Sequence, residues 1–364
     1  MAERIAVAMS GGVDSSAAAW LLKEQGYDLM GVTLKLFDSC GGEEERVCGA
    51  SQDVEDAQAV ARQLGIPHHV FDLGGCFRAQ VMDRFVSAYE GGFTPNPCVD
   101  CNRFIKFDAL LQRVRELEGK RVATGHYARI SFDEGSGRWL LHKAIHPEKD
   151  QSYVLYALSQ DQLGSSLFPL GGLAKDEIRQ IALEQGLVNA RKRESQDICF
   201  VPDGDYASFI RRHTGKEYLP GDFVDPEGKV LGRHEGIIGY TVGQRRGLGV
   251  SSTQGRLYVK EVRVADNQVV LSDNQSLFSR TLTANDLNLI ALPHLDAPMR
   301  LKAKVRYRQQ EQPCVVEQTG EDTIRVTFDQ PQRAITPGQA VVLYDGDVVV
   351  GGATILEGKD TTIL

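Results

Sequence analysis

Three groups of residues in this chain have types and spacings suited to chemistry. The first is Ser10-Gly11-Gly12-Val13-Asp14-Ser15-Ser16, set between an apolar run and a helix-forming stretch. Adjacent glycines let the backbone turn sharply and aim several N–H groups at one anion. The helix start behind them adds a positive dipole end and unpaired N–H donors. Asp14 is placed to hold Mg2+ or to cap the helix. No Gly-Lys-Ser/Thr follows, so this is not a Walker loop, and it is not a GxGxxG dinucleotide turn. The second group is made of thiols. Cys98-Val99-Asp100-Cys101 follows the stiff lead-in Thr94-Pro95-Asn96-Pro97, and Cys199 stands in Ser195–Phe200 after the basic run Arg191-Lys192-Arg193. Cys101 is expected at or just before a helix start, with Arg103 and Lys106 near, and both features raise the thiolate fraction. Cys40, Cys48, Cys76 and Cys314 read as small buried hydrophobes, the common state of a free cysteine. The third group is basic. Arg300, Lys302, Lys304, Arg306 and Arg308 alternate, which on a strand places all five on one face as a phosphate-binding stripe. Arg211-Arg212, Lys216, Arg245-Arg246 and Arg191–Arg193 are further candidates.

The elements that must position these groups follow from periodicity and turn signals. Ile5–Met9, Leu29–Phe37, His69–Leu73 and Val122–Thr124 read as strands. Asp14–Gln25, a stretch from Ser51 to about Gly65, Phe77–Tyr89 and Asn102–Leu117 read as helices between them. Such alternation implies a parallel sheet covered on both faces. From about residue 210 turn signals recur every eight to twelve residues between β-branched runs, which implies all-β barrels. Ser276–Pro293 reads as a joint between them. The expected division is a domain over residues 1–208, a small β-rich domain over 209–277 and a β-barrel over 278–364.

Composition narrows the setting. The chain has 364 residues, with 41 Lys and Arg against 49 Asp and Glu, for a net charge of −8. That excludes a basic nucleic-acid coat but not a locally basic face. No stretch is long and apolar enough for a membrane span, and no secretory leader is expected at the start. A cytoplasmic, reducing setting follows, where an odd set of seven cysteines argues against a disulfide framework.

The string Ser10–Ser16 resembles the loop of the PP-loop ATP pyrophosphatases, an adenine nucleotide hydrolase-like α/β fold. Together with Thr94–Pro97, Cys101-Asn102, Ile105–Phe107, Ala123–Arg129, Lys149–Tyr153, Ser195–Phe200, Gly243–Gly249, Arg306–Arg308 and Thr336–Gln339, it resembles the tRNA-specific 2-thiouridylases (MnmA/TrmU). The resemblance implies 2-thiolation of the wobble uridine in tRNAs for Lys, Glu and Gln. ATP with Mg2+ adenylates the C2 oxygen, and sulfur from a persulfide on Cys199 replaces it. Cys101 is implied as the nucleophile and as the partner of Cys199 in a transient disulfide. The implied ATP site is Ala8, Met9, Ser10, Gly11, Gly12, Val13, Asp14, Ser15, Leu34 and Gly125. Asn96, Pro97 and Cys98 are implied at the target base. His126, Lys149, Asp150, Gln151, Arg306, Tyr307 and Gln339 are implied at the tRNA. A cysteine desulfurase or a relay protein is the implied sulfur donor, and the chain is expected to be a monomer.

Cys98 departs from the family pattern, where Asp is frequent. Cys98, Cys101 and Cys199 together are three soft ligands that suit a 4Fe–4S cluster, which keeps a cluster route open. Two rivals stand beside these readings, an amide-forming PP-loop synthetase and a non-catalytic RNA-binding protein. The paired thiols argue against both.

Overall fold

The computed structural model describes residues 3–37, 51–192, 198–250 and 255–359. Cys40, Cys48, Arg193 and Ser195–Asp197 lie outside them. In the first part, strands β1 (Arg4–Ala8), β2 (Asp28–Lys35), β3 (His68–Asp72), β4 (Arg121–Ala123) and β7 (Ser166–Leu167) form one sheet in the order β3-β2-β1-β4-β7. Every neighbouring pair in it is parallel. Period two divides the apolar residues of the inner strands between the two faces. Ile5 and Val7 face one core, with helices α1 (Val13–Glu24), α2 (Ser51–Leu64) and α5 (Lys175–Glu184), while Ala6 faces another. Both faces are buried, as a parallel sheet requires.

Two helices depart from the expected bounds. Helix α3 runs over residues 74–90 with a π-helical stretch Arg78–Met82. Helix α4 runs over residues 97–116 with a π-helical stretch Cys101–Ala109. It therefore starts five residues earlier than Asn102–Leu117 suggests. Asn96 is the N-cap and accepts from the Cys98 N–H at 3.2 Å, and Pro97 occupies the first helical position, where its missing N–H costs nothing. Cys101 thus lies a full turn inside the helix.

A last helix, α6 (Tyr206–Thr214), leads into the β region. Strands β8 (Gly221–Val224), β9 (Val230–His234), β10 (Tyr258–Arg263) and β11 (Gln268–Ser272) make a four-stranded sheet in the order β10-β11-β8-β9. Six strands follow: β12 (Phe278–Leu289), β13 (Met299–Lys304), β14 (Gln312–Gln318), β15 (Ile324–Arg333), β16 (Ala340–Asp345) and β17 (Val348–Lys359). The β12–β17 pairing closes them into a barrel around Leu301, Val316, Phe328 and Ile355. The segment read as a joint is mostly β12. A hairpin from the first half of the chain, β5 (Ala128–Asp133) with β6 (Arg138–Lys143), joins this barrel through Leu141↔Val349 and His142↔Val348. Among the described residues no helix is long and apolar enough to cross a membrane.

Candidate active site

The sheet order places the loops after β1 and β4 side by side where connections diverge to opposite sides. This switch point is where open α/β sheets bind ligands. The β1 loop is Ser10–Gly12 and the β4 loop is Thr124–His126. Gly11 has φ +71°, and a Cβ there would lie 2.4 Å from the Asp53 carbonyl oxygen, so only glycine lets α2 pack on this turn. Gly125 also approaches the loop closely, since a Cβ on it would sit 3.0 Å from the Asp14 backbone. The Ser10 N–H donates to Ser15 Oγ at 3.2 Å, and the Ser15 and Ser16 hydroxyls donate to the Gly12 carbonyl. The loop is therefore braced from within. Ala8, Met9, Ser10, Asp14, Ser15, Leu34 and Gly125 line a cavity of about 220 Å3, which Thr33, Lys106, His126 and Gln151 complete. Val13 turns into the core instead.

Asp14 is held from two sides. Lys175 Nζ lies 2.5 Å from its Oδ1, and the Tyr127 hydroxyl donates to the same oxygen at 2.8 Å. Lys175 also sits over the Tyr127 ring, 5.7 Å from its centre. Sequence reasoning missed Lys175, although a signal existed: a lysine opening a helix opposes the dipole and needs an acid nearby. Asn189 braces the loop as well, donating to the Gly11 carbonyl and to Ser16 Oγ, both at 2.9 Å. His126 is buried, with Nδ1 2.7 Å from Thr124 Oγ1 and its ring against Phe107 and Phe168. Burial first, and Lys106 second, hold its pKa well below the usual histidine value, so the ring is neutral near pH 7.

The thiols gather on helix α4 and the Cys199 turn. Cys101 and Cys199 pack half-buried against one aromatic cluster that includes Phe77, Phe85 and Phe200. Cys76 packs there too, and burial, with Asp108, pushes its thiol pKa up. None of the five described cysteines is in a disulfide. Cys98 is open to solvent, yet has enough protein around it that desolvation raises its pKa despite Lys106. The early helix start gives the N-terminal dipole to Cys98 rather than to Cys101. Arg103 is paired with Asp286 at 2.7 Å, and Lys106 acts on Cys98. Cys314 is sealed in the barrel, its thiol pushed up to about 12 by burial. Among the described residues no three His, Cys, Asp or Glu side chains are gathered as a metal site, so Cys98, Cys101 and Cys199 are not pre-assembled for a cluster.

The barrel supplies the other wall. The Thr94 N–H donates to the Pro337 carbonyl at 2.8 Å, and Gln339 Nε2 donates to the Thr94 carbonyl at 2.7 Å. These bonds fix the segment that carries Asn96, Pro97 and Cys98. The Tyr307 hydroxyl donates to the Asp150 carbonyl at 3.2 Å, and burial first, then Asp150 and Cys98, raise the Tyr307 pKa. The Asp150 carboxylate points inward, accepting from the Ala144 and Ser152 N–H groups and the Ser152 hydroxyl. Gln151 is tied to the Tyr127 backbone through both its N–H and its side chain, and Lys149 ends the short turn before them. The expected five-residue basic stripe does not form. Strand β13 ends at Lys304, so Arg300, Lys302 and Lys304 share a face while Arg306, Tyr307 and Arg308 occupy the following turn. Arg300 is bound by Asp329, and Lys304 is half-buried beside Asp150 and Glu311.

A phosphate-type loop at the switch point of a parallel sheet, with two thiols gathered in one cluster of the same domain, defines a nucleotide-dependent group-transfer domain carried on two β modules. Residues 3–203 match the family described as tRNA methyl transferase HUP domain. Residues 207–273 match its PRC-barrel domain, and residues 279–355 match the aminomethyltransferase beta-barrel domain. The tRNA-specific 2-thiouridylase MnmA of Clostridioides difficile is 47% identical over 357 residues, 98% of each chain. That of Lachnoclostridium phytofermentans is 47% identical over 359 residues, 98% of this chain and 100% of its own. MnmA 1 of a Thermoanaerobacter species is 48% identical over 355 residues, 97% of each. The chain belongs to the tRNA-specific 2-thiouridylase MnmA family.

Proposed function

We propose that this chain thiolates C2 of the wobble uridine in tRNAs for Lys, Glu and Gln. The observation that carries the reading is that helix α4 brings Lys106 to the loop cavity and Cys101 to the cluster that also holds Cys199. Activation and sulfur delivery thus share one helix. ATP lies on Ser10–Ser15 with its phosphates toward the loop N–H groups. Asp14 would hold the Mg2+ that neutralises them, as one carboxylate beside phosphate oxygens suits that ion. The uridine O2 attacks the α-phosphorus and the bond to pyrophosphate breaks, which leaves an adenylated base. Neutral His126 beside this centre presents no competing positive charge.

The outer sulfur of a Cys199 persulfide attacks C2, and AMP leaves with the original oxygen. The Cys101 thiolate attacks Cys199 Sγ, so the S–S bond breaks with its electron pair staying on the transferred sulfur. Alternatively Cys101 makes that attack first and releases sulfide, which then adds to C2. Either order ends with a Cys101–Cys199 disulfide, which an external dithiol reduces by supplying two electrons. A cysteine desulfurase or relay protein recharges Cys199, and the chain acts as a monomer. No step here uses a 4Fe–4S cluster.

The test incubates the protein with ATP, a sulfur donor and unmodified tRNA, and detects thiolated tRNA on a mercury gel. Cys199→Ser and Cys101→Ser are expected to lose the product while adenylation persists. ATP consumption without thiolation would favour the amide-forming class. A Cys98→Ala variant that thiolates fully without bound iron excludes the cluster route.

A further inference from the structure

Arg306 and Arg333 point at one spot between the two β modules. A Cβ built on Gly243 would lie 3.5 Å from Arg306 Nη2 and 3.6 Å from Arg333 Nη1. Gly243 has φ +88°, and its N–H donates to the Val259 carbonyl at 2.7 Å, so the loop is held against both guanidinium groups. Neither arginine has a carboxylate partner among the described residues. Arg306 Nη2 donates to the Ala334 carbonyl and to Thr336 Oγ1. Arg333 Nε donates to Asn274 Oδ1 at 2.8 Å, and its plane lies 5.1 Å from the Tyr258 ring centre. Their repulsion is strong enough that Arg333 adds to burial in lowering the Arg306 pKa. Four of the other basic candidates carry an acid: Lys192 has Asp53 and Asp56, Lys216 has Glu90, Arg300 has Asp329, and Lys304 lies beside Asp150 and Glu311.

Two rigidly held like charges with unused N–H donors fit an anion with several oxygens. The same loop connects to the site. The Thr94 hydroxyl donates to Thr241 Oγ1 at 3.2 Å, two residues before Gly243, and Tyr307 follows Arg306. The exposed Arg245 and Arg246 continue the charge outward.

We infer that Arg306 and Arg333 form a seat for one phosphodiester group of the tRNA backbone, with Gly243 as its floor, and that Arg333 is a binding residue. The seat rests on the proposed tRNA substrate. The Thr94–Thr241 bond ties the seat's loop to the segment that carries Cys98, so a phosphate fixed here sets the register of the strand that passes that segment.

The test measures binding of unmodified tRNA by fluorescence anisotropy from about 50 to 200 mM salt, a range over which phosphate contacts dominate the response. Arg333→Gln is expected to weaken binding several-fold and to lower the log–log salt slope by about one. Arg333→Lys keeps the charge and therefore the slope, but loses affinity because the fork is gone. The control Arg325→Gln removes a charge already paired with Glu317 and keeps the wild-type slope. Melting curves check folding, and if the Gln variant is unfolded the Lys variant decides, since a slope and affinity both equal to wild type overturn the seat. An Arg333→Gln slope equal to wild type likewise overturns it. Wild-type protein that binds no tRNA at low salt overturns the substrate reading instead.

Discussion

Replacing Gly11 and Gly12 by alanine, one at a time, separates the fold's demand on the phosphate loop from the ligand's. At Gly11 the backbone has φ +71°, which costs alanine about 1–2 kcal/mol. The added Cβ also falls 2.4 Å from the Asp53 carbonyl oxygen and 2.9 Å from its Cα. Backbone cannot swing aside as a side chain can, so α2 must shift, and overpacking of this kind costs about 1–3 kcal/mol. The lower entropy of the unfolded alanine chain returns about 0.4–1 kcal/mol. The net loss is about 1–4.5 kcal/mol, its middle corresponding to roughly 10 °C in the melting of the first domain. At Gly12 the backbone is extended, with φ −90° and ψ 162°, and the nearest atom to a new Cβ is Ser10 Oγ at 3.4 Å. There the entropy gain and the poorer N-cap roughly cancel, to within about 0.5 kcal/mol. The Gly12 methyl instead meets the side of the loop that carries Ser10, so the KM for ATP rises with stability unchanged. Calorimetry and ATP titrations read both. A Gly11→Ala protein melting within about 2 °C of wild type would show that α2 is not seated on the loop.

Three further outcomes follow. Lys175→Met and Asp14→Asn are each expected to destabilise by about 1–3 kcal/mol, and together by clearly less than the sum, because each exposes the other's charge; additivity within about 0.5 kcal/mol in denaturant unfolding contradicts the pair. Burial lowers the pKa of His126 and His68 in the fold, so the unfolded chain binds protons that the folded chain refuses. Stability is then complete above about pH 7 and falls as pH drops below about 6.5, by up to about 1.4 kcal/mol per unit for each histidine; urea unfolding of His126→Gln between pH 7.5 and 5.5 is expected to show a smaller fall than wild type. Gln339→Ala removes the bond to the Thr94 carbonyl, worth about 1 kcal/mol, and hydrogen exchange of the Thr94 amide is expected to quicken about fivefold; unchanged exchange refutes the clamp.

The parts legible in the sequence were those whose causes are local. The glycine pair after Ile5–Met9 marked the loop, and helical periodicity placed α1 and α2 to within a residue or two. The start of α4 was also written locally, since Asn at the N-cap with Pro following is a helix start signal. It was misread because Pro95 and Pro97 together look like an extended strut. The β5–β6 hairpin was illegible because its partner, β17, lies some two hundred residues away in sequence. Alternation of Arg300–Lys304 on a strand was right, but nothing in the pattern announces that the strand stops before Arg306. Lys175 and Arg333 owe their roles entirely to neighbours distant in sequence.

The prolines that hid the helix start also explain why the site needs the barrel. A segment reading Thr94-Pro95-Asn96-Pro97 has only two backbone N–H groups, so it cannot be held by a strand ladder or by a turn of its own. Its local bonds run only forward into the helix, from the Cys98 N–H to the Asn96 side chain and from the Val99 N–H to the Asn96 carbonyl, among the described residues. The other fixed points described for it are the Thr94 bonds to Pro337, Gln339 and Thr241, all from the β modules. Gly338 admits this contact because a Cβ there would lie 2.8 Å from the Thr94 nitrogen. Since the helix begins where the segment ends, the position of Cys98 and Cys101 relative to the phosphate loop is set partly by residues 336–339. The C-terminal barrel therefore helps to set where the thiol-bearing helix begins, and a shift of its Pro337–Gln339 loop would be transmitted directly to that helix.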